Sequence, residues 1–155
     1  MAALISVKDC ISQASLEIGI TQKPISTAVG SLDQDIVQMT ALLSAVADEV
    51  LLDQPYVETL GDGAWIFSAA GVPKPAITAD DDLIGFDARL AIDGLKYRFL
   101  KAKGLEFGEE MRDFLTRLNK LAVRANATVI DLDAASGGDW GTPSGFIYPQ
   151  GGRQQ

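Results

Sequence analysis

The chain contains no histidine. That absence removes the side chain most often used as a general base or to activate a nucleophile near neutral pH. It holds one cysteine, Cys10, so no disulfide can close within the chain and no cysteine pair can hold a metal. Cys10 reads as a small buried apolar group rather than a nucleophile. No apolar run approaches the ~18 residues of a membrane span, and no charged segment leads into an apolar one at the N-terminus. A soluble product made in the cytoplasm is therefore expected. Also missing are a G-x-S-x-G elbow, a phosphate-binding loop and a dinucleotide fingerprint. Of the remaining carboxylates, Glu109–Glu110 and Asp48–Glu49 are adjacent on predicted helices and diverge by about 100 degrees, so neither pair brackets one substrate bond. The Gly61-Asp62-Gly63 triplet has no basic or helix-opening context and reads as a turn. Asp80, Asp81 and Asp82 follow one another directly, whereas a hard-cation loop spaces its acids so that they converge. They are expected to favour the positive end of a third helix that starts there. No catalytic residue, cofactor or metal ligand is assigned, and an enzyme is not expected.

What the chain does have is helical periodicity. Its 155 residues suffice for one domain with a sizeable core. The clearest stretch is Asp87 to Asn126, which reads as two helices folded back at Lys103-Gly104. In the second, Phe107, Met111, Phe114, Leu118, Leu121 and Ala125 recur at spacings of four and three, on one face that must be buried. In the first, Leu83, Phe86, Leu90, Ala91, Ile92, Leu95, Phe99 and Leu100 make a wider band, with Lys96, Arg98 and Lys101 on the other side. Gly104 suits a helix C-terminus, with Lys101 and Lys103 at the negative end of the dipole.

Upstream, a first helix is predicted over residues 6–19, capped by Ser6 with Asp9 three positions on and ended by Gly19. Its stripe is Val7, Ile11, Ala14 and Ile18. After a turn-like stretch holding Pro24 and Gly30, a second helix is predicted from Ser31, with Gln34 completing a capping box and Leu32, Ile36, Met39, Leu43, Val46 and Val50 on one seam. Two such seams invite antiparallel bundle packing. Residues 55–82 break the pattern with Gly61, Gly63, Gly71, Pro73 and Pro75. They read as an insertion carrying a short β-hairpin or irregular loop, with apolar pieces at Ala64–Phe67 and Ala76–Thr78. Within it Trp65, Ile66 and Phe67 either pack back on the bundle or meet a neighbouring chain.

The fold class is therefore mainly α: a small antiparallel helical bundle over residues 1–126, with the insertion at 55–82 and an extended C-terminal arm over 127–155. The arm has one possible short strand at Val129–Leu132. Ordering backbone costs on the order of 1 kcal/mol per residue, so few anchors in 29 residues imply an arm that orders on a partner. Trp140, Phe146 and Tyr148 are the predicted anchors. A disordered tail with no ligand is the alternative.

Net charge is −8, unevenly placed. Nine of thirteen basic residues lie between Arg89 and Arg124, a segment of +4 once its five acids are subtracted. The residues before Arg89 sum to −10, and those after Arg124 to −2. Such polarity suits copies of one chain meeting head to side, or a basic face meeting an acidic partner. Solvated helix faces with ordinary ion pairs account for it equally.

Residues 97–114, YRFLKAKGLEFGEEMRDF, resemble the helical hairpin of the head-to-tail adaptor family of tailed bacteriophages, the podovirus-type tail accessory or head-completion proteins. The matching positions are Tyr97, Arg98, Phe99, Lys101 to Leu105, Phe107, Glu109, Glu110, Arg112 and Phe114. The upstream order of short helix, longer helix and glycine-rich insertion with a tryptophan is also similar, so the resemblance spans residues 4–126. It implies a virion protein at the head–tail junction, a self-assembled ring, typically a dodecamer, under the portal protein. Such a ring extends the channel through which genomic DNA passes without sequence-specific binding, and meets tail nozzle or tail-tube proteins. Under that reading Arg98, Lys101, Lys103, Arg112, Trp65, Trp140, Phe146 and Tyr148 are expected at subunit or portal contacts. An acidic lining of the channel would repel phosphate and let DNA slide. The alternative is a small helical binding or regulatory module whose basic hairpin grips an acidic partner or nucleic acid, a reading that a pI near 4.4 opposes.

Overall fold

A computed structural model of the chain describes residues 4–53 and 64–128. Among these residues the fold is mainly α, four helices with a small four-stranded antiparallel sheet.

Helix α1 spans Val7–Glu17. The Ser6 hydroxyl accepts from the Asp9 amide at 3.1 Å, as its sequence predicts, and Val7, Cys10, Ile11 and Ala14 are buried. At its end the Ile20 amide donates to Ser15 O at 2.9 Å and the Gly19 amide to Leu16 O at 3.2 Å. This double closure requires a positive φ at the glycine, and Gly19 has φ 77°.

Helix α2 spans Gln34–Asp53. It starts later than the Ser31 capping box predicts. Ser31 Oγ accepts from the Asp33 amide at 3.2 Å, Asp33 Oδ1 accepts from the Asp35 amide at 2.9 Å, and Asp33 O takes the first helical bond from Val37. Two short polar residues compete to cap, and Asp33 stands two residues nearer the buried seam. Leu32, expected on that seam, is 99% exposed, while Ile36, Met39, Leu43, Val46 and Val50 are buried as predicted.

The stretch after Ala64 does contain a hairpin, but with a different second strand from the Ala76–Thr78 piece. Strand β2, Ile66–Phe67, pairs with β3, Pro73–Lys74, in the register Ile66↔Lys74 and Phe67↔Pro73. Two further strands were not legible: β1, Ile5–Ser6, and β4, Leu83–Ile84, which pair with each other. The sheet order is β1-β4-β2-β3, which leaves Pro73 on an edge strand, where a missing amide is tolerated. Ile66, Phe67 and Ile84 are fully buried. Of the two readings of the Trp65-Ile66-Phe67 knot, it packs back onto its own bundle.

Asp80–Asp82 do not begin the third helix. They form the turn before β4, and Leu83 is a strand residue rather than part of a helical band. Their backbone closes the start of α1 instead: Asp82 O accepts from the Val7 amide at 2.8 Å and Asp80 O from the Lys8 amide at 3.1 Å. Acids do collect at a helix N-terminus here, but the helix is α1, brought there by the β1–β4 pairing.

Helix α3, Ala88–Ala102, is capped by Asp87, whose Oδ1 accepts from the Leu90 amide at 2.8 Å. Leu90 to Tyr97 are all buried, because α1, α2 and α4 pack around this one helix. That is why its apolar band reads so wide. Helix α4, Gly108–Thr128, runs back along α3 and contacts chiefly it. The turn between them repeats the closure of α1: Gly104 has φ 69°, its amide donates to Lys101 O at 3.1 Å, and the Leu105 amide donates to Leu100 O at 2.9 Å.

Candidate interaction surface

The α3–α4 hairpin carries most of the chain's cations, and several of them have a definite place. Arg98 Nη2 lies 2.5 Å from Glu49 Oε2 on α2, and its guanidinium stands 5.7 Å from the Tyr97 ring centroid. Tyr97 donates its hydroxyl to the same Glu49 carboxylate, and burial together with that carboxylate drives its pKa well above the ordinary phenol value. Lys103 pairs with Asp35 at 2.7 Å and covers the Phe99 ring. Lys101 lies 6.0 Å from the Phe107 ring centroid. Arg112 is exposed and makes no ion pair among the described residues.

A second set of charges is built into the base of the bundle. Glu17 of α1 takes a two-pronged contact from Arg89, at 2.6 and 3.0 Å, and another from Lys96 at 2.8 Å. Burial alone would raise the Glu17 carboxyl, but Arg89, Lys96 and Gln13 outweigh it and hold it at about 2. Asp93 is buried beside the same cations, its Oδ1 3.0 Å from Arg89 Nη2 and 3.2 Å from Lys96 Nζ, at ion-pair distance without a well-aligned hydrogen bond. Arg117 of α4 clasps the capping Asp87 at 2.6 and 3.0 Å, which ties α4 to the start of α3.

Arg89, Lys96, Arg98, Lys103 and Arg117 thus all face carboxylates of their own chain. Most of the hairpin's positive charge is neutralised within the fold. Of the residues expected at contacts with other chains, Arg98 and Lys103 already have partners, and Lys101 covers an aromatic ring. Of the four, Arg112 and Lys101 have no carboxylate partner among the described residues and remain open to an outside acid. Trp65 is half-buried against Phe86, the ring centroids 6.5 Å apart. Trp140, Phe146 and Tyr148, with the rest of the arm after Thr128, lie outside the described residues.

Two apolar surfaces escaped the sequence reading. The first is a rim on α4. Phe114 and Leu118 of its seam are buried and Phe107 and Leu121 partly so, but Met111 is 37% exposed, and Leu115 beside it is 40% exposed. Leu105, in the turn that leads into the helix, is 55% exposed. The signal was available: Leu115 and Ala122 widen the apolar arc beyond the six-residue seam, further than one neighbouring helix can cover. The second is an open trough of about 330 Å³ along the outer flank of α2, lined by Val37, Thr40, Ala41 and Ser44 of the helix together with Ala28, Val29 and Gly30 and with Ala76 and Ile77. The loop forming its wall is fastened by Asp80, whose Oδ1 accepts from the amides of Ala28 at 2.9 Å and Val29 at 2.7 Å. Nothing in the periodicity of α2 announces this surface, since it needs two loops distant in sequence.

Among the described residues no group of three or more histidine, cysteine, aspartate or glutamate side chains is placed to hold a metal ion, and no helix is long and apolar enough to cross a membrane. Compared with protein-family models, curated proteins and solved structures, the chain matches none of them.

Proposed function

We propose that this chain is a non-catalytic structural subunit, a head-to-tail adaptor of a tailed bacteriophage that assembles into a ring beneath the portal protein. The observation that carries the reading is the α3–α4 hairpin. The stretch that resembles the adaptor family, Tyr97 to Phe114, forms a rigid, doubly closed helical turn, and the helix that follows leaves Met111 and Leu115 uncovered at its side. Neighbouring exposed apolar side chains on one helix are what an assembling subunit presents to a neighbour. The acid-rich remainder of the chain suits a channel past which phosphate must slide, and the arm beyond Thr128, with Trp140, Phe146 and Tyr148 as anchors, is the segment assigned to the portal.

The alternative, a module gripping nucleic acid through a basic hairpin, is disfavoured by the same geometry. Cations already paired with carboxylates of their own fold release few counterions on meeting phosphate.

The test is to measure mass in solution for the full chain alone and after mixing with DNA-filled, tail-less heads. Binding to heads as a multimer is the expected result. A chain that ignores heads and instead retains duplex DNA in low salt, with a steep salt dependence, removes the adaptor reading and puts the binding module in its place.

A further inference from the structure

Resting on the ring reading, we infer that the contact between neighbouring subunits seats the α4 rim of one copy, Leu105, Met111 and Leu115, in the α2 trough of the next. The two surfaces match in kind. The rim offers large apolar side chains, Met111 and Leu115 on a helix and Leu105 in the turn before it, and the trough row along α2 sets small residues, Thr40, Ala41 and Ser44, beside Val37, so that a helix can lie closely over it. They also match in charge. The trough row on α2 ends in exposed Asp33 and Asp48, neither of which meets a cation within the described residues, while Arg112 stands next to Met111 on α4, likewise without an acid.

Their placement sets the symmetry. The trough lies on the flank of α2 that meets Ala28 and Ile77, whereas Asp35 and Glu49, on the other flank, turn to Lys103, Tyr97 and Arg98 of α3, beside which α4 packs. Rim and trough are therefore different surfaces of one subunit. A contact between unlike surfaces leaves one rim and one trough free at each end of any short assembly, so it propagates and closes only as a ring; a two-fold dimer does not satisfy it.

A complementation experiment tests this on the full chain. Leu115→Ser spoils the rim and Ala41→Trp fills the trough; both positions are exposed, so each variant keeps its core, which circular dichroism checks. By sedimentation over a wide concentration range the unaltered chain is expected to form multimers, and each variant alone to lose about tenfold or more in association constant. Mixed one to one, the intact rim of Ala41→Trp meets the intact trough of Leu115→Ser, and the mixture gives a heterodimer that grows no further. Variants that multimerise like the parent chain, or a mixture that stays monomeric, overturn this contact while leaving the ring itself standing. Association that survives Leu115→Ser but not Ala41→Trp means that the trough takes a different segment, and also overturns it. A parent chain that stays monomeric at every concentration overturns the contact as a self-sufficient interface, and the head-binding measurement then decides the ring reading separately.

Discussion

Gly94 of α3 lies directly beneath Phe114 of α4: a Cβ built on the glycine would stand 2.9 Å from Cε2 of the ring, and 2.6 Å from Cγ1 of Val46 on α2. A point where three helices meet therefore needs a residue with no side chain. In an exposed helix, replacing glycine by alanine stabilises by about 1 kcal/mol. At this position two buried neighbours must give way, and overpacking of a tight core costs about 1–3 kcal/mol.

Gly94→Ala is accordingly expected to lower stability despite its better helix propensity. Urea unfolding should show a reduced midpoint with an unchanged slope. A gain in stability would mean that α2 and α4 can separate freely from α3.

The ionic base of the bundle gives a pH signature. Glu17 has its folded pKa depressed from the ordinary 4.5 to about 2. A depressed carboxyl binds its proton more readily in the unfolded chain, so its contribution is complete above pH 4.5 and is lost as pH falls towards 2. Glu17→Gln should flatten the stability–pH curve across that window and cost about 1 kcal/mol near neutrality, the upper range for a partly solvated pair. Unfolding curves at a series of acidic pH values check both.

Asp80 fastens the loop that walls the trough. Burial would raise its carboxyl, but the Val29 and Ala28 amides and the Thr27 hydroxyl outweigh it and hold it below the usual aspartate range. Asp80→Ala leaves two amides without their acceptor, and because water reaches this partly exposed site the expected loss is about 1 kcal/mol. Hydrogen exchange at Ala28 and Val29 should accelerate well before that of the α3 core.

Cys10 is fully buried, and burial pushes its thiol up to about 12. Thiol reagents at neutral pH are expected to label the native protein only at its rate of opening, and to react at once in denaturant. Fast labelling of the native chain would place Cys10 elsewhere than against the core.

The sequence alone determined that the chain is mainly helical, the α2 seam from Ile36 to Val50, the burial of Phe114 and Leu118 on α4, and the turn at Gly104, because these depend on residues within a few positions of one another. Ser6 and Gly104 were readable as a cap and a stop for that reason. It could not choose between Ser31 and Asp33 as the cap of α2, since both are competent and only packing of the seam separates them. Nor did it reveal β1 and β4: two-residue strands carry no periodicity, and Ile5 finds Ile84 only after the chain has folded. By their place in the sequence Asp80–Asp82 would serve the helix that follows, whereas that same pairing assigns them to α1. The fate of the hairpin's cations was likewise a tertiary matter. Charge along a sequence says how much of each sign is present, but Glu17, Asp35 and Glu49 reach Arg89, Lys96, Lys103 and Arg98 only because α1 and α2 pack against α3. That packing left Met111, Leu115 and Arg112 uncovered among the described residues, since there α4 packs chiefly on α3 and has an apolar arc wider than one helix can bury.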